Sequence, residues 1–180
     1  KDLKTIHFLN KMFDSGVRVF KIEGRARGPE YVKTVVECYD EALRAICNGS
    51  YSEEMIAGWD ERLSRVFNRG FWNGYYLGQR LGEWSSKYGS MATRKKVYVG
   101  KCTNYFKKLR VAEILVESQD IAKGDEYLIT GETTGAIEGV IEDMRVEDKS
   151  IERVGKGTYF SMKCDLIRRG DRLYKMEIIL

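Results

Sequence analysis

At 180 residues, 43% hydrophobic and 32% charged, the chain is long enough for one sizeable domain or two small ones and too apolar for a disordered segment. Its 31 Lys and Arg stand against 27 Asp and Glu, a net charge of +4 carried by the N-terminal half, so an anionic partner is permitted but not demanded. No apolar run approaches a membrane span, no signal peptide opens the sequence, and no CxxC spacing relates Cys38, Cys47, Cys102 and Cys164, which together predict four reduced thiols in a cytoplasmic protein with no membrane partner.

The sequence opens at Lys1 without Met and turns helical within a few residues, which reads as a piece of a longer protein. Ile6, Leu9, Met12 and Phe13 predict a helix from Thr5 to Ser15, with Gly16 ending it. His7, the single histidine, excludes HExxH and His-rich zinc sites and is expected to be structural.

The stretch from Val17 to Val32, VRVFKIEGRARGPEYV, reads as a buried strand, a charged turn and a helix start. Alternation puts Val17, Val19, Lys21 and Glu23 on one strand face and Arg18, Phe20 and Ile22 on the other. One face therefore turns ionic at the strand's C-terminal end, where α/β folds build their active sites. Arg25 and Arg27 follow in the turn, and Pro29 suits the first position of a helix whose free N-terminus favours an anion. The plainer alternative is a Lys21–Glu23 ion pair with two solvated arginines.

Pro29 to Asn48 is predicted as a helix with an apolar stripe of Val32, Val35, Val36, Tyr39, Leu43, Ile46 and Cys47, stopped at Asn48-Gly49. One strand cannot make a sheet, so its neighbours are expected elsewhere, and bare edges and helix faces predict that the piece forms a dimer or larger assembly. Ser52 caps a further helix through Ile56, Trp59, Leu63, Val66 and Phe67. The aromatic, glycine-rich loop Phe67 to Gly78, beside Arg65, Arg69 and Arg80, either stacks on nucleobases or packs against the domain body. Residues 83–94 read as a linker.

The grammar then changes to short β-branched and aromatic runs: Val97–Tyr105, Val111–Val116, Glu126–Ile129, Ala136–Met144, Thr158–Met162 and Arg172–Ile178. Punctuated by Gly-Asp turns, they predict a small closed β-barrel or sandwich. The sequence contains no GxSxG, GxxxxGK[ST] or GxGxxG motif, and no paired histidine for a triad.

KDLKTIHFLNKMFDSGVRVFKIEGRARGPEYV, FNRGF, YVGKCTNYFKKLRVAEI and KGDEYLITGETTG together resemble the peptidase U32 family, the "collagenase-like" peptidases, over nearly the whole chain. The resemblance implies that residues 1–82 are the end of a TIM-barrel-like catalytic region. Residues 95–180 would be a small all-β barrel similar to the second domain of elongation factor Tu. It also implies one of two activities for the parent protein. Some relatives hydroxylate RNA, including a prephenate-dependent tRNA wobble-uridine hydroxylase, or take part in oxygen-independent ubiquinone hydroxylation; the family's historical label is protease. Those relatives carry a cysteine-ligated iron–sulfur cluster, whose ligands would lie mostly upstream of Lys1. Several members have Cys, in a DLC sequence, at the position matching Lys4, so no metal ligand is expected in this chain.

The matching KIEGR block marks Lys21, Glu23 and Arg25 as a family feature. We expect Glu23, with Lys21 beside it, to be the catalytic pair, Glu23 as general base or orienting carboxylate. Arg25, Arg27 and Arg69 are expected to bind phosphate or a carboxylate. The expected partner of the parent is RNA (tRNA or rRNA), with a peptide substrate as the alternative. A third reading makes the barrel a non-catalytic protein-interaction module, and the balanced charge of the C-terminal half favours that over an independent grip on RNA. The piece alone is expected to catalyse nothing.

Overall fold

The computed structural model describes residues 1–85 and 88–179, and the chain divides into two compact units, Lys1–Thr93 and Arg94–Leu180. In the N-terminal unit a two-residue strand, β1 (Asp2–Leu3), leads through a 3-10 turn at Ile6–Phe8 into α1 (Leu9–Asp14). The helix expected from Thr5 to Ser15 is therefore two short pieces of different pitch, and Gly16, at φ 92°, ends the second.

Helix α2 (Pro29–Asn48) has the expected bounds. Gly28 precedes it in extended conformation, and Gly49, at φ 77°, returns its N–H to the carbonyls of Ala45 and Ile46. Helix α3 (Glu53–Arg65) starts where Ser52 Oγ accepts the Met55 N–H, with acids in its first turn and arginines in its last. Strand β2 (Phe71–Trp72) then pairs in parallel with β1, Asp2 opposite Phe71.

The buried face of α2 is rotated from the expected stripe. Val35, Cys38, Ala42 and Ala45 point into a core with Ile6, Leu9, Ile56, Trp59 and Leu63, while Val32, Val36 and Cys47 are exposed. Small side chains at Cys38, Ala42 and Ala45 let the neighbouring elements approach closely, so the large residues fall to the flank. Each large apolar side chain buried here contributes about 1.5–3 kcal/mol of transfer free energy.

Residues 17–24 form no strand. They have no ladder partner, because the described residues include no strand beside them. From Val19 to Glu23 the alternation nonetheless persists: Phe20 and Ile22 pack on the helical core, whereas Val19 is 87% exposed and Lys21 and Glu23 are exposed. Before Val19 the pattern fails, with Arg18 exposed and Val17 half-buried. Lys21 and Glu23 make no ion pair with each other. Part of the expected linker is anchored to this unit, since Met91 N–H donates to the Asn68 carbonyl at 2.6 Å and Thr93 N–H to Ser64 at 3.0 Å.

The C-terminal unit is antiparallel β-structure: β3 (Arg94–Phe106), β4 (Val111–Val116), β5 (Ile121–Ala122), β6 (Glu126–Gly131), β7 (Gly135–Val140), β8 (Met144–Val146), β9 (Lys149–Ser150), β10 (Arg153–Val154), β11 (Tyr159–Lys163) and β12 (Arg172–Ile178). Eight of these run in the order β7-β6-β12-β3-β4-β11-β8-β9, and β5 pairs with β10. The closed barrel expected from sequence is not formed: β7 and β9, at the two ends of the ladder, are not paired with each other. The run predicted from Ala136 to Met144 breaks into β7 and β8, with residues 141–143 outside any ladder. One core, including Val99, Ile114, Ile129, Met144, Phe160 and Leu173, is shared by the large sheet, and Ile121 and Val154 of the small sheet join it. Gly100 sits where β3 lies closest to β4, for a Cβ there would come within 1.9 Å of the Leu115 carbonyl oxygen.

Candidate functional site

The sequence blocks KIEGR and NRGF each build a turn. In the first, Glu23 Oε1 accepts the Arg25 N–H at 2.9 Å and Gly24 accepts the Arg27 N–H at 3.0 Å. Gly24 is small because a Cβ there would come within 2.8 Å of Val32 Cγ2 on α2. In the second, buried Asn68 turns the chain: its Nδ2 donates to the Val66 carbonyl at 3.0 Å and its Oδ1 accepts the Gly70 N–H at 3.1 Å. Gly70 takes φ 78°, and its carbonyl accepts the Asp2 N–H at 2.7 Å.

These turns meet on Asp2. Arg69 donates Nε and Nη2 to Asp2 Oδ1 at 2.9 and 2.6 Å, and its backbone N–H to Oδ2 at 3.0 Å. Arg27 places Nη2 3.8 Å from the same Oδ1 and lies over the rings of Phe67, 4.0 Å from the centroid, and Tyr31, at 5.7 Å. Burial, followed by the Asp2 charge, raises the Tyr31 phenol above its ordinary 10.0 against the opposing pull of Arg27, so it is neutral at neutral pH. Beside this cluster Tyr39 Oη accepts the Thr5 N–H at 3.0 Å and lies 3.2 Å from Thr5 Oγ1.

All five residues singled out from sequence, Lys21, Glu23, Arg25, Arg27 and Arg69, line one groove of about 890 Å³ within the N-terminal unit. Only Arg27 and Arg69 share a partner. Arg25 is exposed, and Glu23 holds its own turn. The start of α2 is not bare: the Glu30 carboxylate folds over Gly28, 2.4 Å from where a Cβ would stand, so the helix N-terminus already meets a negative charge. Lys4 of the lining is paired with Asp60 at 2.8 Å and lies 4.4 Å from the Phe71 centroid. Lys21, Arg25, Arg27 and Arg69 thus outnumber Asp2 and Glu23, and the groove is cationic.

Sequence reasoning missed Asp2, Tyr31 and Tyr39. Asp2 lies 67 residues from Arg69, and no local pattern announces the pair. The placing of Tyr31 and Tyr39 eight positions apart on α2 was the available signal for a shared helix face. The aromatic loop divides: Phe67 carries Arg27, His7 Nε2 meets Asn73 Oδ1 at 2.7 Å, and Tyr75, Tyr76 and Leu77 stay exposed.

Residues 1–86 match the model of peptidase family U32. A collagenase of Porphyromonas gingivalis is 59% identical over 98% of this chain and 43% of its own length. This chain belongs to peptidase family U32. The U32 chain is also 30% identical, over 82% of its length and 35% of the relative's, to tRNA hydroxylation protein P1 of Bacillus subtilis. It spans less than half the length of the curated relatives it matches.

Among the described residues no three His, Cys, Asp or Glu side chains are placed to hold a metal. Burial raises the thiols of Cys38 and Cys102 to about 11 and that of Cys164 to about 12, so none is a ready thiolate. No helix is long and apolar enough to cross a membrane among the described residues.

Proposed function

We propose that the protein to which this chain belongs hydroxylates a base in structured RNA, tRNA or rRNA, and that the β unit assists substrate binding. The observation that carries this reading is the groove lining, which holds Arg25, Arg27 and Arg69 together with Tyr31 and Phe67, Arg27 lying over both rings. Guanidinium forks suit phosphate or carboxylate oxygens, and ring and guanidinium faces stack on unpaired bases. The name of the Bacillus subtilis relative supports the same reading. In it Arg25, Arg27 and Arg69 hold an anionic group of the substrate. Glu23 keeps one oxygen on the Arg25 N–H and offers the other as a base, with Lys21 beside it. The N-terminal unit then completes a TIM-barrel-like region, and the β unit corresponds to the second domain of elongation factor Tu. Any iron–sulfur cluster takes its ligands from outside this chain, and the setting is the cytoplasm.

A peptidase is the second reading, supported by 59% identity to a protein named collagenase. Within this chain His7 is bonded to Asn73 and the buried thiols are protonated, so the nucleophile and base come from elsewhere in the parent.

The test is to express the whole protein in a bacterial strain lacking its own tRNA hydroxylation and analyse nucleosides by liquid chromatography and mass spectrometry. One added oxygen on a tRNA or rRNA base is expected, lost in Arg69→Ala. Cleavage of collagen or gelatin by the same preparation, with every nucleoside unchanged, overturns the reading.

A further inference from the structure

The charge of the β unit balances along the sequence but not over its surface. The β3–β4 hairpin turns through residues 107–110, and the loop from 164 to 171 lies against it: Cys164 N–H donates to the Arg110 carbonyl at 3.1 Å, Tyr105 Oη to the Cys164 carbonyl at 3.1 Å, and Gly170 N–H to the Cys102 carbonyl at 2.8 Å. Phe106 and Lys163 both pair across from Val111, which brings the end of β11 to the same edge. The two loops thus form one surface, and Lys107, Lys108, Arg110, Lys163, Arg168 and Arg169 are all exposed on it. These two segments hold two acids: Asp165, which pairs with Arg110, and Asp171, which is buried. Beyond the Arg110–Asp165 pair the adjoining cleft is mixed in charge, with Glu142, Asp143 and Asp148 set beside Arg145, whose Nε donates to Asp143 at 2.9 Å.

Apolar groups stand among these cations. Leu109 is 67% exposed, Leu166 48% and Phe106 44%. Arg110 holds the left-handed conformation, φ 54°, where Gly or Asn would fit with less strain, and Arg168 is fixed by its Nη1 on Thr134 Oγ1 at 3.0 Å and its N–H on Asp171 at 2.8 Å.

We propose that this two-loop surface, Phe106–Arg110 with Lys163–Arg169, is where the β unit grips the RNA substrate, its cations on phosphates and Phe106 against an unpaired base. The inference rests on the RNA reading above. Cations in excess with one aromatic face match a folded RNA. A bilayer calls instead for a broad apolar face, and three side chains on two separate loops do not supply one.

The experiment measures binding of an unmodified tRNA transcript to the 180-residue chain by fluorescence anisotropy across a salt series. Replacing Lys107→Glu with Lys108→Glu is expected to weaken binding about tenfold or more and to flatten the dependence of log affinity on log salt. Lys149→Glu with Lys156→Glu, exposed cations elsewhere on the unit, is expected to leave binding within about twofold. Arg169→Glu repeats the test at the other loop, and Phe106→Ala is expected to weaken binding without changing the salt slope. Equal losses in the control pair, no loss in the patch variants, or binding to phosphatidylserine-containing vesicles in place of tRNA overturns the proposal. Two failures separate cleanly. A chain that binds tRNA through this surface, from a parent that leaves every nucleoside unchanged, keeps the surface and removes the hydroxylase. A parent that hydroxylates RNA while the patch variants bind tRNA unchanged does the reverse.

Discussion

Asp2 holds Arg69 from three directions, accepting Nε and Nη2 on one carboxylate oxygen and the Arg69 backbone N–H on the other. The pair ties the first residues of the chain to the turn before β2, and the same carboxylate offsets the charge of Arg27. Asp2→Asn keeps the shape and removes the charge. It should cost about 1–2 kcal/mol, because charge-assisted bonds are weakened at a site where Arg69 is half exposed. With the arginines released, phosphate should raise the variant's melting temperature more than it raises the wild type's, chloride at equal ionic strength serving as control. An identical phosphate response in both proteins would show that Arg27 and Arg69 are scaffold.

Glu23 is exposed and its one hydrogen bond is to the N–H of Arg25. Glutamine can accept the same bond, so Glu23→Gln should change stability by no more than about 0.5 kcal/mol. Loss of turnover in the parent carrying this substitution, at unchanged melting temperature, would then report on chemistry. A variant that unfolds while its folded fraction stays active contradicts the proposed role.

Glu41 links two helices. Its Oε2 accepts Arg62 Nη1 at 2.6 Å and Trp59 Nε1 at 2.9 Å. The Arg62 bond holds its carboxyl below the ordinary 4.5, against the upward push of burial, and the Trp59 bond adds to the lowering. A carboxyl lowered in the folded state stabilises the fold above its ordinary pKa, and that contribution disappears as pH falls through the lowered value. Glu41→Gln should therefore be less stable than wild type at neutral pH, and the gap should close as pH falls below about 4.5. Urea titrations at several pH values, read by tryptophan fluorescence, measure this; a gap constant with pH counts against it.

Gly100 and Gly155 offer a paired test of the β unit. A Cβ at Gly100 would lie 1.9 Å from the Leu115 carbonyl oxygen, whereas one at Gly155 meets nothing within 4 Å. Gly100→Ala should force β3 from β4 and lower stability by about 1–3 kcal/mol or more. Gly155→Ala should stay within about 1 kcal/mol of wild type. Comparable melting temperatures for the two variants would contradict the close approach of the strands.

Local chemistry made much of this protein legible in its sequence. Pro29 and Gly49 bound α2, Ser52 starts α3, and β4 and β12 run between their expected ends, because caps and alternation act over a few residues. The charged turn and Arg69 were visible as residue types, and they do line one groove. What only the tertiary structure decided is who partners whom. The alternation of residues 19–23 survives without a strand, because a ladder needs a neighbour that no local pattern supplies. The buried face of α2 turned toward Cys38, Ala42 and Ala45, because helix packing rewards close approach over the largest apolar stripe. Strand pattern alone does not fix whether a ladder joins its own ends, and here β7 and β9 stay apart. Asp2 became the anchor of two arginines only through contacts spanning much of the N-terminal unit, a long-range match that composition and periodicity do not encode.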